Sequence, residues 1–227
     1  MIRSRKGRMF VAAATIFLPW VLKRSLLTWL LGYQLDRRAS IGYSILDVVS
    51  LRMGENARIG HLTVCRGLKA LEIGDCGIIG NLNWITGGGY NPLPRARSNN
   101  KAEPILRVGT HSAITNRHYI DCSDRLEIGA FTTVAGVRSQ FMTHSIDLGV
   151  CCQQAEPIRI GDYCFIGTGC IVLPGAELPD FSVLAAGSVL RENMSQAWTV
   201  YAGVPARPKR RISEEHAYFH RMVGYVE

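Results

Sequence analysis

Six histidines, His61, His111, His118, His144, His216 and His220, are the side chains best suited to move a proton near neutral pH. An unperturbed imidazole titrates at ~6.5 and is largely neutral in a cytosol, so it can take a proton as a general base. Only His144, in Thr143-His144-Ser145, lies in a stretch that interrupts an otherwise periodic chain directly before its most regular part. Asp147 follows three residues later; it either orients that imidazole or stands as a solvated loop carboxylate. His118 falls in NRHYIDCSD, residues 116–124, where Asn116, Arg117, His118 and Asp121 form a candidate group for acceptor contacts. The plainer reading of His118 is a packed or hydrogen-bonded residue beside a slip in the repeat. His216 and His220 would share a face if SEEHAYFHRM forms a helix behind a Ser213 cap, and both read as surface residues.

Seven cysteines are scattered without a C-x-x-C pair, which speaks against both a disulfide framework and a zinc knuckle. They read as free thiols in a reducing compartment. The vicinal Cys151-Cys152 reads as two loop thiols, with a redox-active pair as the alternative.

The elements that would hold these groups are set by a period of six. From Ile160 the chain places Ile160, Ile166, Val172, Leu178, Leu184 and Leu190 at equal steps, and a small residue, from Cys164 and Cys170 to Ser188, follows four places after each of the first five. A period of six is neither that of a strand nor that of a helix. It fits a chain that turns after every short strand, three hexads making one triangular coil with the aliphatic side chain inside. Val108, Ile114 and Ile120 repeat the step, and Ile128 and Val134 resume it after a slip of two residues. Ile41-Gly42, Ile59-Gly60, Ile73-Gly74 and Ile79-Gly80 read as earlier turns. The solenoid therefore spans residues 41–194, with inserted loops at 86–107 and 139–159 and a C-terminal extension over 195–227. The 23 glycines suit so many turns.

The column, together with GTGCIVLPGAELPDFSVLAAGSVL and GVPAR at residues 203–207, resembles the hexapeptide-repeat acyltransferase superfamily. The likeness is greatest to maltose and galactoside O-acetyltransferases and exopolysaccharide acetyltransferases. It covers roughly residues 41–210 and implies an all-β, left-handed parallel β-helix, a homotrimer, acetyl-CoA as co-substrate and an active site shared by two subunits. By the same resemblance His144 matches the catalytic base, and no metal is expected. CoA contacts match to Phe165, Thr168, Ala186, Gly187 and Ser188, and then to Pro205 and Arg207, with Arg191 and Arg207 as candidates for the phosphates. Arg117 stands where the galactoside enzymes carry an acceptor-binding Asn, and Glu192 where many relatives carry Lys.

Residues 1–40 read as apolar, basic helices. Arg3, Arg5, Lys6 and Arg8 precede an apolar run from Met9 to Leu22; Lys23 and Arg24 interrupt it, and a second run ends at Gly32. Each run is shorter than the ~18–20 residues that cross a bilayer, and no small-residue cleavage site follows Leu22. Residues 1–32 are thus expected to lie on a membrane surface, with a helical cap on the fold as the alternative. The net charge of +8 suits that surface. No nucleic-acid motif accompanies it.

These features lead to an acetyl-CoA-dependent O-acetyltransferase acting on a sugar hydroxyl, in surface or exported polysaccharide synthesis, cytoplasmic and peripheral on the inner face of the membrane. The arginines of loop 86–107, Arg95 and Arg97, would meet an anionic glycan or nucleotide sugar. An amine acceptor on an amino sugar or small molecule, a zinc β-helix enzyme using His111, His118 and His144, and a non-catalytic scaffold are the rival readings.

Overall fold

A computed structural model describes residue 2 and residues 4–88 and 102–224. The hexads form flat, two- to four-residue strands stacked in parallel on three faces of a prism. The first face stacks pairs such as Ala113–Ile114, Thr133–Val134, Phe165–Ile166 and Val183–Leu184. A second face stacks Trp84–Gly87, Tyr119–Cys122, Gln140–Met142 and Ile171–Val172. The third face stacks Ile105–Val108, Leu126–Ile128 and Ile158–Ile160. In the lowest coils Ile45–Met53 and Val64–Ile73 run without a break from second face to third.

One side chain per strand points into the prism, and this is why the period is six. The six aliphatic residues from Ile160 to Leu190 are each at most 1% exposed, as are Cys164, Cys170, Ala176, Ser182 and Ser188 between them. Each such aliphatic contributes about 1.5–3 kcal/mol on burial, so the stacked column carries the solenoid. Ile114, Ile120 and Val134 are fully buried, and Val108 and Ile128 nearly so, which extends the column below the slip.

The outward side chains differ by face. On the third face Arg52, Glu72, Arg107, Glu127, Arg159 and Glu177 stack in register, one sign above the other. Arg107 bridges Glu72 and Glu127, each at 2.8 Å, a pattern suited to water. The second face instead stacks Ile45, Val64, Trp84 and Tyr119, then Gln140, Ile171 and Val189.

At one corner Phe131, Tyr163, Phe181 and Trp198 occupy left-handed backbone with φ of 53–56°. That conformation is costly for aromatic residues. Stacking offsets the cost: Phe131–Tyr163 lies at 4.7 Å and Phe181–Trp198 at 4.3 Å, nearly parallel. The C-terminal segment docks on this ladder, so the helix predicted behind Ser213 is reduced to a 3-10 turn, Ala217–His220. Phe219 packs edge-on against Trp198, Tyr218 donates to the Cys164 carbonyl at 2.8 Å, and Arg221 lies over the Tyr218 ring. A regular helix would not present these aromatic and cationic groups together to the ladder. His216 and His220 are exposed.

The coil boundaries differ from those predicted. Gln34–Leu35 already pairs with the first coil, Thr199–Ala202 continues the first face past residue 194, and Arg207–Arg211 folds back against it. Gln140–Met142 and Ile158–Ile160 are coil strands, which confines the second interruption to residues 143–157. Gly87 and Ile105 bound the first interruption.

Two helices close the lower end. α1 (Arg5–Ala14) starts at Ser4, whose hydroxyl accepts the Gly7 amide, and α2 (Trp20–Leu26) continues as a π turn, Leu27–Leu31. Val11, Leu27, Leu31 and Tyr33 enter the core of the first coil, and the Tyr33 hydroxyl donates to the Val48 carbonyl at 2.9 Å. Asp47, 2% exposed, takes Arg5 and Arg8 at 3.2 and 3.3 Å and so ties α1 to the coil. The buried Lys23 donates to the Gly42 carbonyl, and its burial lowers the ammonium pKa to about 8. Among the described residues no helix is long and apolar enough to cross a membrane.

Candidate active site

The two-residue slip after Ile120 and the interruption after Met142 meet at one corner, between the second and third faces. Asp121 is the penultimate residue of the second-face strand Tyr119–Cys122 and pairs in register with Met142 one coil above. After Thr143 the chain leaves the coil as an antiparallel hairpin, His144–Asp147 against Cys152–Ala155. His144, at its base, therefore stands over Asp121, and its Nδ1 lies 2.7 Å from the Asp121 Oδ2.

Asp121 is 4% exposed and held from several sides. The Ser123 hydroxyl donates to Oδ1 at 3.0 Å and the Thr143 amide to Oδ2 at 3.2 Å. Burial opposes ionisation of Asp121, but the hydrogen bond and charge of His144, with those from Ser123, outweigh it and hold the carboxyl below its ordinary range. The Asp121 hydrogen bond raises the His144 pKa against partial burial. An imidazole that gives its Nδ1 proton to a carboxylate keeps Nε2 as the proton-accepting nitrogen. With its side chain 32% exposed, His144 can meet a hydroxyl from outside.

Asp121 is thus not free to contact an acceptor, a correction to that reading: both carboxylate oxygens are engaged inside the protein. Asp147 does not orient the imidazole, because it accepts the Gly149 amide and the Gln154 side-chain amide and closes the hairpin turn. His118 is not an acceptor contact either. It is 2% exposed; Nδ1 accepts the Ser139 amide, Nε2 faces the Thr115 hydroxyl, and desolvation lowers its pKa to about 4. Asn116 accepts the Asn81 amide at 2.7 Å in the corner wall. Arg117 sits in left-handed backbone at that corner, on the far edge of the second face from His144. His111, His118 and His144 occupy three different corners, so one chain does not gather them around a point. Ser123 and Thr143 were missed. The slip that brings Asp121 and Ser123 to the corner was visible as the broken step between Ile120 and Ile128.

The residues matched to CoA contacts form an open ledge, at the corner between first and second faces. Thr168-Gly169 lies below Ala186-Gly187; both glycines have positive φ, and a Cβ on either would meet nothing within 4 Å. Phe165 faces outward beside Tyr218 on the first face, and Pro205 adjoins the top of the ledge. Ser188 is turned inward, and its hydroxyl accepts the Gly203 amide; it supports the ledge without facing it. Glu192 bridges Arg191 at 3.1 Å and Arg207 at 2.9 Å, so both predicted phosphate partners are already ion-paired. Ledge and dyad stand at opposite edges of the second face, and a single chain does not bring them together. Arg95 and Arg97 lie outside the described residues.

Residues 157–192 match the family model described as the hexapeptide repeat of succinyl-transferase. That stretch of the chain carries hexapeptide repeats. The chain is 38% identical over 65 residues to galactoside O-acetyltransferase of Escherichia coli K12, covering 28% of this chain and 32% of that one. The curated relatives are matched over only 28–32% of their own length. The hexapeptide-repeat fold extends further: a polysialic acid O-acetyltransferase superposes with a TM-score of 0.57 at 15% identity, over 82% of this chain and 90% of that one. A hexapeptide-repeat acetyltransferase of Vibrio cholerae, solved with acetyl-CoA, superposes with 0.52 at 17% identity, over 92% and 89%. These likenesses agree with the all-β, left-handed β-helix that the hexapeptide repeats imply.

Proposed function

We propose that the protein transfers an acetyl group from acetyl-CoA to a sugar hydroxyl, with His144 as general base. The observation that carries this reading is the 2.7 Å contact between His144 Nδ1 and a buried Asp121. The His144 Nε2 takes the hydroxyl proton as the oxygen attacks the thioester carbonyl. The carbon–oxygen bond forms, the carbon–sulfur bond breaks, and the imidazolium returns its proton to the departing thiolate. Asp121 stabilises the imidazolium in between. The open ledge at Thr168-Gly169 and Ala186-Gly187 has room for the pantetheine arm against bare backbone. Likeness over 65 residues to a galactoside O-acetyltransferase supports a carbohydrate acceptor.

A trimer fits the same observations. The second face presents Trp84 and Tyr119, 43% and 40% exposed, between ledge and dyad. A neighbouring copy packed there would cover these rings and bring its ledge toward His144. The lower cap supports peripheral attachment to a membrane: Phe10, Phe17, Val21 and Trp29 are all at least 74% exposed.

Released thiol and acetylated product, measured with acetyl-CoA and a panel of sugars, nucleotide sugars and glycan fragments, test the reading. Wild type should acetylate a carbohydrate and His144→Ala should not. Failure to bind CoA overturns it.

A further inference from the structure

The cap and the dyad are fixed to one rigid stack, and the distance between them is set by counting coils. Asp47, Arg66, Thr86, Asp121 and Met142 are register partners in five successive coils. Asp47 is clamped to α1, and Asp121 and Met142 flank the base of the His144 hairpin. Hydrogen-bonded strands repeat at about 4.8 Å, and a helix with its side chains adds about 10 Å. The dyad therefore stands about 25–30 Å from the outer surface of the cap.

That outer surface has one orientation. Val11 and Thr15 of the first helical segment and Lys23, Leu27 and Leu31 of the second are buried toward the coil. Phe10, Val21, Leu22 and Trp29 are 56–76% exposed on the helices, and Phe17, 83% exposed, lies beside Tyr43 at the edge of the first coil. Residues 1–35 carry six Lys and Arg and no Asp or Glu. Arg5 and Arg8 pair with Asp47 and Lys23 is buried, yet the segment stays net positive, and an exposed apolar surface with that charge is complementary to a bilayer with anionic headgroups. The third face, with its alternating ion pairs, offers no such surface and belongs in water. In a trimer with parallel axes three caps would share one plane, which multiplies the attachment.

We infer that the solenoid stands upright on an anionic membrane surface and acts as a spacer, so that its acceptor is a lipid-linked saccharide modified several sugars away from the lipid. The inference rests on the acyl-transfer reading for the reaction, and on the coil count for the reach. A sugar joined directly to the lipid would lie far below His144. A distal sugar of an extended chain would reach it.

The orientation can be tested without turnover. In a Cys76→Ser, Cys152→Ser protein, a fluorophore on the exposed Cys151 reports the hairpin, and one on a Thr28→Cys variant with Cys76, Cys151 and Cys152 replaced by Ser reports the cap. Vesicles of phosphatidylethanolamine and phosphatidylglycerol carry a headgroup-linked energy acceptor; phosphatidylcholine vesicles are the control. Binding to the anionic vesicles, strong transfer from the cap and weak transfer from the hairpin are expected. Equal transfer from both positions, or self-association through the cap with no binding to lipid, overturns the proposal. Phe10→Ser with Trp29→Ser should abolish vesicle binding and leave turnover of a soluble sugar unchanged. A saccharide active in solution is then presented in the same vesicles on short and long linkers. Selective turnover of the long-linked form supports the spacer, and equal turnover overturns it; absence of turnover in solution would instead remove the acyl-transfer reading.

Discussion

Asp121 and His144 are 23 positions apart in the chain and 2.7 Å apart in space, one coil above the other. The pair exists because a slip in one coil and a hairpin leaving the next occur at the same corner. Replacing His144 with Ala removes the base and should lower kcat by about 10²–10⁴. At pH 8, where the imidazolium contributes least, the thermal midpoint should change little and the oligomeric state should stay unchanged, since the ring is part-exposed and fills no core position. Steady-state kinetics beside a melting curve check both halves of the prediction.

Asp121→Asn should act through pH as well as rate. The raised pKa of His144 places the acidic limb of the kcat/KM profile above the ordinary imidazole range. Loss of the carboxylate removes the cause, so the limb should move to lower pH while the plateau falls. In stability the sign is the reverse: a raised histidine pKa stabilises the fold below the unfolded value near ~6.5 and loses that contribution as pH rises through the folded one. Melting curves of Asp121→Asn and wild type should therefore differ more at pH 5 than at pH 8.

Val172→Asp places a carboxylate in a column where Val172 is fully buried. The cost is several kcal/mol, and soluble protein should be lost. Equal loss in His144→Ala would contradict the placement of that histidine at a solvent-facing site.

Gly187→Val tests the ledge. Nothing in the chain opposes the added Cβ, but φ of 70° makes a branched residue cost about 1–2 kcal/mol. Substrate affinity should suffer more: KM for acetyl-CoA should rise with a smaller change in kcat. An unchanged KM would place the pantetheine arm elsewhere.

Phe219→Ala should release the C-terminal segment from the aromatic ladder, because Phe219 is 6% exposed and packs on both Trp198 and Phe181. Faster amide exchange and proteolysis confined to residues 213–224 are expected, with the coils intact.

The hexad column was legible in the residues alone. One aliphatic and one small residue per six is a local property of the chain, and each inward position from Ile160 to Leu190 follows from it. Candidate His144 was legible too, because an interruption of so strict a period is conspicuous. Its partner was not. Asp147, near in sequence, is spent on its own hairpin turn, whereas Asp121 arrives through the register of strands a whole coil apart. His118 and Ser188 look as available in sequence as His144 does, yet their side chains are turned into the wall, where backbone amides take their hydrogen-bonding atoms. The C-terminal residues carry a helical spacing, but the aromatic ladder recruits Tyr218, Phe219 and Arg221 and leaves one 3-10 turn. Periodicity specifies which side chains point inward. Which outward side chains meet depends on how many residues each corner takes up, and only the stacked coils decide that.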